Sequence, residues 1–152
     1  MNLASTDTAS GRNAGRATAE PVLSVNDLVV TYYTDLGRAR ALDKVSFTLK
    51  AGTKMGMVGE SGSGKSTLAL AMMRMIKPPG RIEGGNVWVG GTDLQALSEE
   101  DMRKARLSKI AYIPQGAMNS LNPVMRVGAQ MVDAIKSHLR GESASAINDR
   151  CV

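Results

Sequence analysis

The chain has 152 residues, about the length at which a single domain can build its own core. Nineteen Lys and Arg face fourteen Asp and Glu, giving a net charge of +5, with 43% hydrophobic and 22% charged residues, an ordinary balance for a globular protein. The lone cysteine, Cys151, excludes an internal disulfide and a cysteine-built zinc or iron–sulfur site; the apolar runs fall short of the ~18–20 residues that span a bilayer; and 3% aromatics leave few stacking platforms for single-stranded nucleic acid.

Residues 1–21 are small and polar, carry Arg12 and Arg16, show no apolar period, and read as a disordered extension. They lack the apolar region of a secretory signal and resemble an organellar transit peptide only faintly. Leu23 to Thr34 has the Val, Leu, Tyr and Thr content of a strand, and Gly37 marks a turn. Val45, Phe47 and Leu49 then alternate with Ser46, Thr48 and Lys50, the period of a half-buried strand, so an antiparallel pair is predicted. After the turn at Ala51–Thr53, the run Lys54–Val58 predicts a short, buried, central strand.

Leu68, Met72, Met75 and Ile76 follow at helical spacing until Lys77-Pro78-Pro79-Gly80 stops the pattern. Asn86–Val89 predicts a further strand. Ser98 with Asp101 three residues on predicts a capped, short basic helix through Arg106. Within Lys109–Pro114 a strand is predicted over Ile110–Ile113. Val127, Met131, Ile135 and Leu139 form one face of a last helix, ended by Arg140 and Gly141, and the ten methionines fall mainly on such core faces.

Between the strand at 54–58 and the helix after it lies Gly59-Glu60-Ser61-Gly62-Ser63-Gly64-Lys65-Ser66, which fits G-x-x-x-x-G-K-[ST] at every fixed position. Glycines let successive backbone N–H groups turn inward toward phosphate oxygens, and a helix starting near Lys65 aims its positive dipole end at the same anion. Lys65 supplies a point charge for the β- and γ-phosphates, Ser66 a hydroxyl for Mg²⁺, and Thr67 a reach to the α-phosphate. A glycine-rich turn before a helix would produce such a match by chance only rarely. Nucleoside triphosphate binding is the expectation.

Val58 to Leu68, followed by Tyr112-Ile113-Pro114-Gln115 and then Ser120-Leu121-Asn122-Pro123, resembles the nucleotide-binding subunits of ABC transporters, most closely the dipeptide, oligopeptide and nickel importer branch. The likeness extends from about Leu23 to Leu139. It implies a P-loop α/β core with an N-terminal antiparallel β subdomain, Mg²⁺ and ATP as cofactors, and a peripheral place on the cytoplasmic face of the inner membrane. It also implies transmembrane permease subunits and a second ATP-binding subunit, in a homo- or heterodimer, as partners. By the same resemblance Gln115 reaches the Mg²⁺ and attacking-water region, and Tyr32, or alternatively Tyr33, stacks on adenine. As a residue, Gln115 is an uncharged amide at a strand end that can accept from water and donate to phosphate, and a tyrosine ring in a strand also serves as core.

Three family features are absent: the Leu-Ser-Gly-Gly-Gln signature, the apolar strand ending in Asp-Glu, and the switch histidine after it. Past Gln115 the only acids are Asp133, Glu142 and Asp149, and none follows four apolar residues. His138 does not follow those motifs and is not assigned the switch role. The expectation is therefore a partial ABC-type domain over 22–152, the N-terminal portion of a longer protein, in which ATP hydrolysis is inherited by resemblance but turnover collapses without the Asp-Glu strand. The isolated P-loop strand should present an unpaired apolar edge. Two alternatives stay open: a fragment that binds ATP or a partner without turnover, and another P-loop enzyme such as a DNA-repair ABC protein, a kinase or a GTPase, although the Asn-Lys-x-Asp guanine motif is missing. Arg103, Lys104, Arg106 and Lys109 complement the dipole of a helix that opens on Glu99, Glu100 and Asp101, so no nucleic-acid partner is expected.

Overall fold

The computed structural model describes residues 2–4 and 20–138. The chain divides into two compact units, Met1–Arg103 and Lys104–Val152. The first holds β1 (Asn2–Ala4), β2 (Leu23–Thr34), β3 (Gly37–Leu49), β4 (Gly56–Val58), α1 (Lys65–Met72), β5 (Gly80–Val89), β6 (Thr92–Asp93) and the start of α2 (Glu99–Ser108). The second holds the end of α2, a 3₁₀ turn at Ala117–Ser120 and α3 (Val127–His138).

β2 spans the segment its composition predicts and pairs antiparallel with β3 and β5, in a four-stranded sheet of order β3-β2-β5-β6. The β2–β3 hairpin closes at the pair Thr34 and Gly37, where the Thr34 hydroxyl donates to the Gly37 carbonyl at 2.9 Å. One sheet face carries the core. Val25, Leu28 and Val30 of β2 are buried with Leu42 of β3, Val87 of β5, and Leu68 and Ala71 of α1. Each large aliphatic side chain so removed from water contributes about 1.5–3 kcal/mol. The register slips between Val25 and Leu28, where Asp27 takes a φ of 46° and its N–H donates to the Ser46 hydroxyl. Gly85 of β5 backs this bulge: a Cβ there would lie 2.5 Å from the Leu28 Cα.

Several elements depart from the sequence pattern. Of the residues expected to be a disordered extension, Asn2–Ala4 form β1 and residues 5–19 lie outside the described set. β1 pairs antiparallel with β4, so the P-loop strand has a neighbour, supplied by the chain's first residues. That strand is not the buried central strand predicted over 54–58: Met57 is half-buried and Val58 is 67% exposed. A short apolar run becomes central only where strands flank it on both sides, and β4 pairs with β1 alone in a two-stranded sheet.

The helix after the P-loop ends at Met72, four residues before the apolar spacing runs out at Ile76. Its end is a Schellman motif: the Met75 N–H donates to the Leu70 carbonyl at 2.8 Å, the Arg74 N–H to that of Ala71 at 3.0 Å, and Arg74 takes the left-handed position with φ 50°. α2 begins as the capping pattern requires, with the Asp101 N–H donating to the Ser98 hydroxyl at 3.1 Å. Its last turn breaks at Arg106 and Leu107.

In the second unit the strand predicted over Ile110–Ile113 does not form. Only an isolated bridge links Ile110 to Arg106, while Tyr112 and Ile113 are exposed. Strand residues need a ladder for their N–H and C=O groups, and β-branched composition alone does not supply one. α3 starts at Val127 as predicted, yet Val127 and Met131 of its apolar face are exposed. Leu139, Arg140 and Gly141, which complete that reading, lie outside the described residues.

Candidate functional site

The glycine-rich segment forms a tight loop between β4 and α1. Within it the Ser63 N–H donates to the Glu60 carbonyl at 3.2 Å. Gly64 is the N-cap of α1 with φ 90°, a left-handed conformation that L side chains rarely adopt, and a Cβ on it would meet the Ala41 carbonyl oxygen at 2.8 Å. The requirement for glycine at 64 is therefore both conformational and steric. At Gly59 it is steric, because a Cβ would lie 2.5 Å from Ser63 Oγ. Both packings draw the loop together ahead of an N-terminus whose first N–H groups have no helical partner, the arrangement that binds anions.

Lys65 turns back over the loop it follows. Its ammonium donates to the carbonyls of Gly59 and Glu60, each at 2.6 Å, and to Ser63 Oγ at 3.1 Å. Three donors meet three oxygens, so the positive charge is held inside the loop. Ser66 is exposed in the first turn of α1 and Thr67 is half-buried behind it. Glu60 and Ser61 are exposed. The residues from Gly59 to Lys65 thus form one continuous arrangement. Among the described residues no group of three or more His, Cys, Asp or Glu is placed to hold a metal ion.

Tyr32 is half-buried on the sheet face that packs toward the end of α1. A Cβ on Gly80 would lie 2.7 Å from both Tyr32 Cε1 and Ile76 Cγ2, so the ring and the isoleucine close over that glycine. Tyr33 points to the opposite face, as strand alternation dictates. Arg38 and Arg81 stand 5.5 Å and 5.4 Å from its ring centroid. Its hydroxyl donates to the Glu83 carboxylate, which also accepts from the buried Thr31 hydroxyl at 2.6 Å. The bonds from Thr31 and then Tyr33, with the Arg40 and Arg38 charges, hold the Glu83 carboxyl below its ordinary range. Donation to Glu83, then partial burial and the Glu83 charge, push the Tyr33 phenol up. Tyr33, the alternative base-stacking residue, is therefore engaged with charged neighbours.

Gln115 belongs to the second unit, where it is exposed in the loop before Gly116, whose φ is 74°. Further along, the Ser120–Pro123 string is held by a residue that motif reading passes over. The Gln130 amide accepts from the Asn122 N–H at 2.8 Å and donates to the carbonyls of Asn122 and Met125 at 3.0 and 3.1 Å. Asn122 in turn accepts from the Val124 N–H through its own side chain. In the first unit Arg74 plays a comparable part, donating to the Leu97 carbonyl at 2.6 Å, to that of Leu94 at 3.5 Å, and pairing with Glu99. Eight-residue separation on α3 gives Gln130 no local signature, and Arg74 reads as one more helix-face cation.

A family model described as ABC transporter matches residues 42–150. The oligopeptide transport ATP-binding protein OppD of Escherichia coli (strain K12) is 40% identical over 131 residues, which are 86% of this chain and 39% of that protein. The dipeptide transport ATP-binding protein DppD of the same strain is 40% identical over 124 residues, 82% of this chain and 38% of that protein. The chain therefore spans well under half the length of these relatives. Among solved structures, the dimeric structure of MJ0796, a bacterial ABC transporter cassette, superposes with a TM-score of 0.68 over 84% of this chain and 53% of that one, at 23% identity, which is a likeness of fold. The dimeric post-hydrolysis state of the ATP-binding cassette MJ0796 bound to ADP and Pi gives 0.64 at 20% identity, over 85% of this chain and 53% of that one. With the family model covering most of the sequence, this chain belongs to the ABC transporter family.

Proposed function

We propose that the chain binds MgATP at the loop 59–67 and is part of the ATP-binding, energy-coupling subunit of an ABC importer for peptides or nickel. The observation that carries this reading is the Lys65 ammonium, drawn into a glycine loop at a helix start, in a chain 40% identical to OppD. Gly59, Glu60, Ser61, Gly62, Ser63 and Gly64 would present backbone N–H groups to phosphate oxygens, Lys65 would neutralise the terminal phosphates, and Ser66 would ligate Mg²⁺. Thr67 would reach the α-phosphate. Gln115 is proposed for the metal and water region and Tyr32 for the base, each by family resemblance. The partners proposed are permease subunits and a second ATP-binding subunit, and the place is the cytoplasmic face of the inner membrane. Among the described residues no helix is long and apolar enough to cross a bilayer.

A fluorescent ATP analogue titrated into the purified chain tests the reading. Lys65→Ala is expected to abolish binding, because a charge-assisted contact to phosphate is lost and the Gly59 and Glu60 carbonyls lose their donor. Unchanged affinity overturns the assignment. A second reading is that these 152 residues bind ATP or a partner subunit without turnover. Phosphate release measured with malachite green, on the chain and on its Lys65→Ala variant, separates the two.

A further inference from the structure

The three oxygens around Lys65 are not equivalent. The Gly59 and Glu60 carbonyls accept at 2.6 Å, whereas Ser63 Oγ stands at 3.1 Å. The carbonyls are fixed parts of the loop backbone, and the hydroxyl is a rotatable group on a half-buried side chain. The Ser63 side chain lies across the loop, close enough to Gly59 that a Cβ there would sit 2.5 Å from its oxygen and 3.9 Å from the Lys65 nitrogen. An ammonium has three N–H donors, and two are already committed to backbone.

We propose that the Ser63 hydroxyl is the loop's internal stand-in for a phosphate oxygen: it fills the third donor direction of Lys65 until a polyphosphate displaces it. The inference deepens the reading above and rests on it. Ser63 is here a positioning residue that acts through Lys65. A charged phosphate oxygen is a stronger acceptor than a neutral hydroxyl, so exchange is downhill, but the hydroxyl's bond is an opposing cost on nucleotide entry. The two carbonyl bonds persist through the exchange and keep the ammonium aimed at the anion. Affinity for the polyphosphate portion is thereby set below what the same loop without the hydroxyl would reach.

The test uses the full 152-residue chain, with a fluorescent ATP analogue and, as a probe lacking a base, inorganic tripolyphosphate measured by calorimetry. Ser63→Ala is expected to bind both about two- to five-fold more tightly, the effect of removing one modest competing hydrogen bond at a half-exposed site. In the nucleotide-free variant the ammonium protons of Lys65, followed by ¹⁵N-resolved NMR, are expected to exchange with water faster than in the wild type, a signature that a general loosening of the fold would not confine to this residue. If the wild type binds and Ser63→Ala binds equally or more weakly, or its ammonium exchange is unchanged, the stand-in role is overturned and the binding assignment survives. If the wild type binds neither probe, both fall.

Discussion

Gly64 at the head of α1 sits directly against Ala41 in β3, so closely that one added carbon would lie 2.8 Å from the Ala41 carbonyl oxygen. This contact ties the phosphate-loop helix to the antiparallel sheet. Gly64→Ala would impose a left-handed L residue, at about 1–2 kcal/mol, and press a methyl against a backbone oxygen that cannot rotate away. The expected outcome is a loss of at least about 1–2 kcal/mol in urea unfolding together with weakened ATP-analogue binding. Wild-type stability in this variant would show that the helix start does not rest on β3.

Arg74 ends α1 in a left-handed conformation and fastens the segment before α2 through the Leu97 and Leu94 carbonyls and Glu99. Its side chain is 20% exposed, so the loss of its donors leaves carbonyls poorly solvated. Arg74→Ala is expected to lower stability by about 1–3 kcal/mol. Arg74→Gly relieves the strained φ while removing the same donors, and its unfolding midpoint should fall at or slightly above that of the alanine variant.

Thr31, Tyr33 and Glu83 make stability depend on pH in two opposite windows. The folded Glu83 carboxyl titrates below its ordinary value, so its contribution is complete above the ordinary carboxylate range and disappears as pH falls through the lowered folded value. The Tyr33 phenol titrates above its ordinary value, so its contribution is complete below the ordinary phenol range and is lost as pH rises through the raised folded value. Urea midpoints of wild type and Glu83→Gln should converge on acidification, and those of wild type and Tyr33→Phe on alkalinisation. Parallel profiles across the range would contradict the network.

Gln130 closes the loop at Asn122 with three hydrogen bonds from one amide. Gln130→Ala is expected to speed amide hydrogen exchange at Asn122 by about five- to tenfold, since one or two modest bonds correspond to roughly 1–1.5 kcal/mol at this exposed site. Exchange unchanged at Asn122 would mean that the turn is held by its own Asx bond to Val124 alone.

What the sequence determined is local. The spacing of Gly59, Gly62, Gly64 and Lys65 specifies a loop whose backbone can turn inward, the Val and Tyr content of Leu23–Thr34 specifies a strand, and Ser98 with Asp101 specifies a helix start, because each depends on groups within a few residues of one another. Tertiary structure decided where those elements stop and what they meet. Beyond the local cap that ends α1 at Met72, Arg74 meets carbonyls twenty or more residues away, β4 is only half-covered because its neighbour is β1, and Ile110–Ile113 stays irregular because no ladder accepts it. A residue pattern states which conformations a segment can take at little cost. The partners that satisfy its backbone and cover its apolar side come from elsewhere in the chain, and their positions exist only once the whole has folded.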